Sequence, residues 1–181
     1  VAAAIFGLLV VVAMSIFTVD QRKFAIVLQL GEIKEVIAEP GLNFKWPLIQ
    51  NVRYFEKRIL TYDAPEPERF ITSEKKPVLV DAFVKWRIID AKQYYISVQG
   101  DETRAHIRLS QTVNAGLREE FGRRTVHEVV SGEREKIMDE VRVKADADAR
   151  AIGVQIVDVR LKRVDLVQEV WEPASRRDAT E

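Results

Sequence analysis

Residues 78–89 read VLVDAFVKWRII, and their alternation decides what kind of domain this chain builds. In an extended chain Val80, Ala82, Val84, Trp86 and Ile88 share one side, and Leu79, Asp81, Phe83, Lys85 and Arg87 share the other. A period of two sustained over that length predicts a long strand with one face turned to a core. Lys75-Lys76-Pro77 marks its beginning, and Asp90 is placed to cap a short helix or turn over residues 90–98.

On the C-terminal side the period changes. Leu109, Val113, Leu117 and Phe121 recur every four residues, which is the apolar stripe of an amphipathic helix, with Gly122 as its expected stop. Thr125-Val126-His127-Glu128 has the spacing of a capping box, in which Thr and Glu satisfy each other's free amides at a helix start. Ser131 is a candidate cap for a second helix carrying Ile137, Val141, Ala145 and Ala149, with Glu140/Lys144 and Asp146/Arg150 as pairs on a solvated face. Gly153 ends it. Residues 154–166 return to strand alternation with Val157, Val159 and Leu161 inward, and the phase slips at Lys162-Arg163, as at a bulge or at the strand's end.

On the N-terminal side, Lys23 to Gly31 and Glu32 to Ala38 read as two short strands closed by Glu39-Pro40-Gly41, so a hairpin is expected. Residues 52–62 read as one further strand before the Pro-broken loop 63–68. Between them Phe44, Trp46, Leu48 and Ile49 cluster around Pro47. Two readings are open for that cluster: packing under a loop, the commoner fate of apolar residues, or contact with a lipid interface, where Trp favours the headgroup level.

The first nineteen residues, VAAAIFGLLVVVAMSIFTV, carry no charge. A helix of that length covers about 29 Å against a hydrocarbon layer of roughly 30 Å, so a membrane-spanning anchor over 1–19 is expected, ending where Asp20, Arg22 and Lys23 arrive. A cleaved leader would have a shorter apolar run and a small-residue cleavage site.

The remaining composition excludes several functions. Lys+Arg and Asp+Glu are each 28, so no global basic field invites nucleic acid, and with no Cys there is neither a disulfide nor a thiolate metal site. The two histidines, His106 and His127, have no ligand-spaced partner, and no nucleophile elbow or phosphate-binding glycine loop is present. No catalytic residue, metal or cofactor is therefore expected. Glu119 and Glu120 point apart on a helix and read as a solvated face rather than an acid and base pair. The basic pairs Arg123-Arg124 and Lys162-Arg163 read as solvent-facing or as ordinary subunit salt bridges.

The ordered series QRKFAIVLQLG (21–31), PGLNFKWP (40–47), FITSEKK (70–76), VDAFVKWRI (80–88), LREEFGR (117–123) and 153–166 resembles the stomatin/prohibitin/flotillin superfamily, most closely its bacterial HflC branch. The resemblance implies an α+β chain: an N-terminal transmembrane signal-anchor, 1–19, then a band-7 (SPFH) domain of mixed antiparallel strands and amphipathic helices. The domain divides into a strand-rich, membrane-proximal half, 20–98, and a helix-helix-strand half, 99–166. It implies single-pass residence in a bacterial inner membrane with the main domain periplasmic, although Arg22 and Lys23 on the translocated side argue mildly against that orientation. Implied partners are an HflK-like paralogue, an FtsH-like membrane AAA protease and membrane lipid, in a hetero-oligomeric ring or cage that regulates the protease without being one. A general stomatin-like organiser of membrane microdomains is the alternative. Phe44, Trp46, Leu48 and Ile49 are then the membrane-interface candidates, and Arg118, Glu119, Arg123, Arg124, Glu140 and Lys144 the oligomer or partner-interface candidates. Family members run on into a long helix. Here Pro173 falls in the expected start of it, so 167–181 reads as a truncated or altered beginning of that region.

Overall fold

The computed structural model describes residues 2–132 and 134–167; the reading of Pro173 lies outside them. In chain order come α1 (Ala2–Ser15), β1 (Ile16–Val19), β2 (Lys23–Gln29), β3 (Glu32–Ile37), β4 (Gly41–Phe44), β5 (Gln50–Glu56) and β6 (Leu60–Asp63). Then follow β7 (Glu68–Ile71), β8 (Pro77–Ile88), α2 (Ala91–Val98), α3 (Glu102–Arg123), α4 (Arg134–Ala149) and β9 (Val154–Leu166).

The alternating stretch quoted first is β8, the centre of the larger sheet. It pairs antiparallel with β6 and β7 along one edge and with β9 along the other. Its inward residues Val80, Val84, Trp86 and Ile88 are buried, as the period of two requires. The stripe on α3, Leu109, Val113, Leu117 and Phe121, is buried with them, as are Ile137, Val141, Ala145 and Ala149 of α4. Phe70 on β7 meets Phe121 edge-on with ring centroids 5.4 Å apart, fixing α3 against the sheet. The same cluster takes in Ile26, Leu28 and Phe55 from the β3-β2-β5 sheet.

Local caps match their sequence signals. Asp90 accepts from the Gln93 amide at the start of α2, and Glu128 accepts from the Thr125 amide at 2.7 Å while Thr125 Oγ1 accepts from the Glu128 amide. Gly153 closes the turn after α4 at φ 76°, and a Cβ there would lie 2.4 Å from the Asp90 carbonyl oxygen, so only glycine fits.

Several expectations are corrected. The N-terminal helix does not run to residue 19. It ends at Ser15, and Ile16–Val19 is a strand paired with Gly41–Phe44. Phe17 and Val19 are buried there against Ala25 and Val27 in a second, smaller core, and the Ser15 carbonyl accepts from the Lys45 amide at 2.8 Å. Long-range pairing with Gly41–Phe44 thus replaces the helix over Ile16–Val19, a run rich in strand-forming residues. At about 1.5 Å per residue the 14-residue α1 covers roughly 21 Å, and no described helix is long and apolar enough to cross a membrane.

The single strand expected over 52–62 is two, β5 and β6, which join different sheets. α3 continues through Gly122 to Arg123, because its last turn is closed by the Arg124 amide donating to the Phe121 carbonyl. Ser131, the expected cap of α4, lies in a wide helical turn over Glu128–Gly132, where its hydroxyl donates back to the His127 carbonyl. β9 carries two register shifts against β8: the one at Lys162 was expected, while the one at Val157 moves Ile156 inward in its place.

Candidate membrane-facing and assembly surfaces

Two chain reversals and the end of α1 gather at one end of the molecule. β4 runs antiparallel to β1, so Phe44 lies opposite Ile16 and the next loop starts where α1 ends. β5 runs antiparallel to β2, so Gln50 lies opposite Gln29 and the Leu30-Gly31 turn comes beside the same loop. The Leu30 amide points to the Ile49 carbonyl, and the Gln50 and Gln29 side chains meet at 3.3 Å. The loop is closed on itself, with the Gln50 amide donating to the Trp46 carbonyl and the Trp46 amide donating to Gln50 Oε1.

Every apolar side chain of the sequence-derived cluster faces out. Trp46 is 63% exposed and Leu48 97%, with Phe44 and Ile49 also exposed, so packing under a loop is excluded as their role. Phe44 and Trp46 stack edge-on at 6.2 Å. Ile16, Leu30 and Leu42, which the sequence did not single out, extend the same apolar surface, and beyond Ile16 the large apolar residues of α1 are exposed as well. Leu30 and Leu48 also hold positive φ, 52° and 76°, a conformation disfavoured for leucine by about 1–2 kcal/mol. No packing contact compensates either one, since both side chains are exposed.

The charged candidates form a second constellation, at the α3/α4 crossing. Its centre is Glu120, which is 3% exposed, so the solvated face expected for Glu119 and Glu120 holds for Glu119 alone. Glu120 accepts from Lys144 Nζ and from Arg124 Nη1, each at 2.5 Å. Arg124 also donates to Glu140 at 2.7 Å, Lys144 reaches Glu119 at 3.3 Å, and Arg123 pairs with Glu119 at 2.6 Å. Glu140 and Lys144 therefore bond to α3 and its C-cap rather than to each other along the outside of α4. The Lys144 hydrogen bond, aided by Arg124 and opposed by burial, holds the Glu120 carboxyl below its ordinary pKa. Hydrogen bonds to Glu120 and then Glu119 raise that of Lys144. Arg118 is exposed beside this cluster. Of the six candidates, five are thus engaged within the chain, and the arrangement clamps two helices together.

Among the described residues no group of His, Asp and Glu is placed to hold a metal ion. His106 lies between Tyr62 and Trp86, with ring centroids at 4.7 and 5.7 Å, and Glu102 stands 3.5 Å from its Nε2.

The SPFH domain / Band 7 family profile matches residues 17–181. The chain belongs to the SPFH domain / Band 7 family. The match opens at Phe17, inside the strand β1 and not within α1. This Band 7 chain is 39% identical over 176 residues to Protein HflC of Haemophilus influenzae, covering 92% of the chain and 59% of that protein. It is 34% identical to Protein HflC of Buchnera aphidicola from Acyrthosiphon pisum, covering 94% of the chain and 61% of that protein. It is 32% identical to the Modulator of FtsH protease HflC of Escherichia coli K12, covering 98% and 66%. The chain thus spans roughly three fifths to two thirds of the length of these Band 7 relatives.

Proposed function

We propose that this Band 7 chain is a non-catalytic scaffold of a bacterial inner membrane, which assembles with an HflK-like paralogue and modulates an FtsH-like membrane AAA protease. The relative named Modulator of FtsH protease HflC supports the protease. The observation that carries the membrane half of the reading is the set of exposed apolar side chains on α1 and at the adjoining end of the strands, Ile16, Phe44, Trp46, Leu48 and Leu30. A side chain such as Leu or Phe gains about 1.5–3 kcal/mol on leaving water, so an apolar end built from several of them is costly in solvent and favourable in lipid.

On this reading α1 inserts its exposed apolar side chains into the bilayer and helps anchor the chain there. The strand-rich half, 20–98, rests its loops on the periplasmic leaflet, and the half 99–166 stands further out. The exposed rim of the charged constellation, Arg118, Glu119 and Arg123, meets neighbouring subunits. There it gives each copy weak contacts that a ring multiplies. Gentle solubilisation followed by isolation of the chain tests the reading: an HflK-like and an FtsH-like protein in one large particle support it, and a small homo-oligomer without either contradicts it.

The exposed loops also suit a general organiser of membrane microdomains. Co-isolation of lipid domains without any protease favours that second reading.

A further inference from the structure

Between the β3-β2-β5 sheet and α2 runs an open groove of about 640 Å³, within the range of small-molecule sites. Glu32 and Ile33 of β3, Arg53 of β5, and Lys92, Tyr95 and Ile96 of α2 border it. Ile33 and Tyr95 are half-buried against the main core and give the groove an apolar wall. Gly31 lines it too, so it opens at the Leu30-Gly31 turn, the end of the molecule that carries the exposed apolar loops. Arg53, Lys92 and Glu32 make no side-chain hydrogen bond or ion pair with any described residue, although all three border the one groove. By contrast, the charges at the α3/α4 crossing pair with one another.

We infer that this groove holds the headgroup of an anionic glycerophospholipid of the phosphatidylglycerol type. Arg53 and Lys92 take the phosphodiester, and Glu32 accepts from the headgroup hydroxyls. The acyl chains stay in the layer that Leu30 and Leu48 reach. Charge decides the class: two cations and one carboxylate leave one net positive charge, which a phosphodiester with a neutral polyol balances. An ethanolamine headgroup brings its own cation and leaves that charge unbalanced. The inference rests on the membrane-facing reading of this end.

The test reconstitutes the full chain in vesicles of equal parts phosphatidylcholine, phosphatidylethanolamine and phosphatidylglycerol, extracts it gently and quantifies the retained lipids by mass spectrometry. Two basic groups near anionic lipid correspond to a preference of up to about 30-fold, so phosphatidylglycerol is expected to be retained at about fivefold or more over either of the other two lipids. The double substitution Arg53→Gln with Lys92→Gln returns it to the bulk share. Equal retention of the three lipids, enrichment of phosphatidylethanolamine, or enrichment indifferent to the double substitution overturns the inference. Loss of the enrichment on adding inorganic phosphate reassigns the groove to a free anion and overturns it as well. Quenching of Trp46 by brominated acyl chains in pure phosphatidylcholine reports the membrane-facing end without the groove. Quenching with no enrichment therefore removes the groove alone, and absence of quenching removes the reading beneath it.

Discussion

Ile16 stands opposite Phe44 across the β1/β4 ribbon, and one residue further the Ser15 carbonyl accepts from the Lys45 amide at 2.8 Å. The loop bearing Trp46 and Leu48 is thereby tied to the end of α1. Whatever layer α1 enters, the loop stands at its border.

Leu48 gives the loop a separable role. It is almost wholly exposed and strained at φ 76°, so it contributes nothing to the fold that glycine would lose. Relief of the left-handed conformation offsets the entropy of a glycine, and Leu48→Gly is expected to leave stability unchanged or raise it by about 0.5 kcal/mol. Urea melts of the detergent-solubilised chain check this. A loss of more than about 1 kcal/mol would mean that Leu48 packs within the protein.

Glu120 is the opposite case. Glu120→Ala leaves Lys144 and Arg124 around an emptied buried position, and a cost of about 3 kcal/mol is expected, moderated by Glu119 and Glu140, which keep both cations partnered. The pH dependence has a definite sign. The folded carboxyl titrates below its ordinary value of 4.5, so the unfolded chain binds more protons between the two pKa values. Its stabilisation is full above about pH 4.5 and is lost as pH falls through the folded pKa. Thermal melts from pH 7 down to 3 should fall more steeply for the native chain than for Glu120→Gln; parallel curves would refute a stabilising role for this carboxylate.

Gly153 joins α4 to β9 and accepts from both the Ile89 and the Asp90 amides. Gly153→Ala meets a left-handed φ and two backbone atoms, the Asp90 oxygen at 2.4 Å and the Tyr94 nitrogen at 2.7 Å. A loss of about 2 kcal/mol or more is expected, read as a lower urea midpoint. Gly122→Ala, in the open last turn of α3, should be neutral or stabilising by up to about 1 kcal/mol. Equal effects at the two sites would deny Gly153 its special role.

Elements with one buried face and a steady period were legible. β8, the β2/β3 hairpin and the stripes of α3 and α4 appear where alternation or i, i+4 spacing put them, and the caps at Asp90 and Thr125 follow from side-chain chemistry alone. β1 was hidden because Ile16-Phe17-Thr18-Val19 continues an apolar run, and no change of period can mark a helix-to-strand switch inside it. Val157 misled because its bulge is a property of the β8/β9 pair and not of its own segment. Glu120 read as solvated because its partner Lys144 lies 24 residues away. Composition leaves the Phe44 to Ile49 cluster open between packing under a loop and contact with lipid, and only the fold shows that it faces outward.

The most direct measurement is depth-dependent quenching of Trp46 fluorescence in the full chain reconstituted in vesicles whose lipids carry bromine on the acyl chains. The difference between the native chain and Trp46→Phe isolates this residue, since Trp86 is fully buried in the core and Trp171 is common to both. Strong quenching that disappears in Trp46→Phe and weakens in Leu48→Gly is the predicted result. Trp46 emission untouched by brominated lipid, with the chain fully membrane-associated, would contradict the claim that this end of the domain rests in the bilayer.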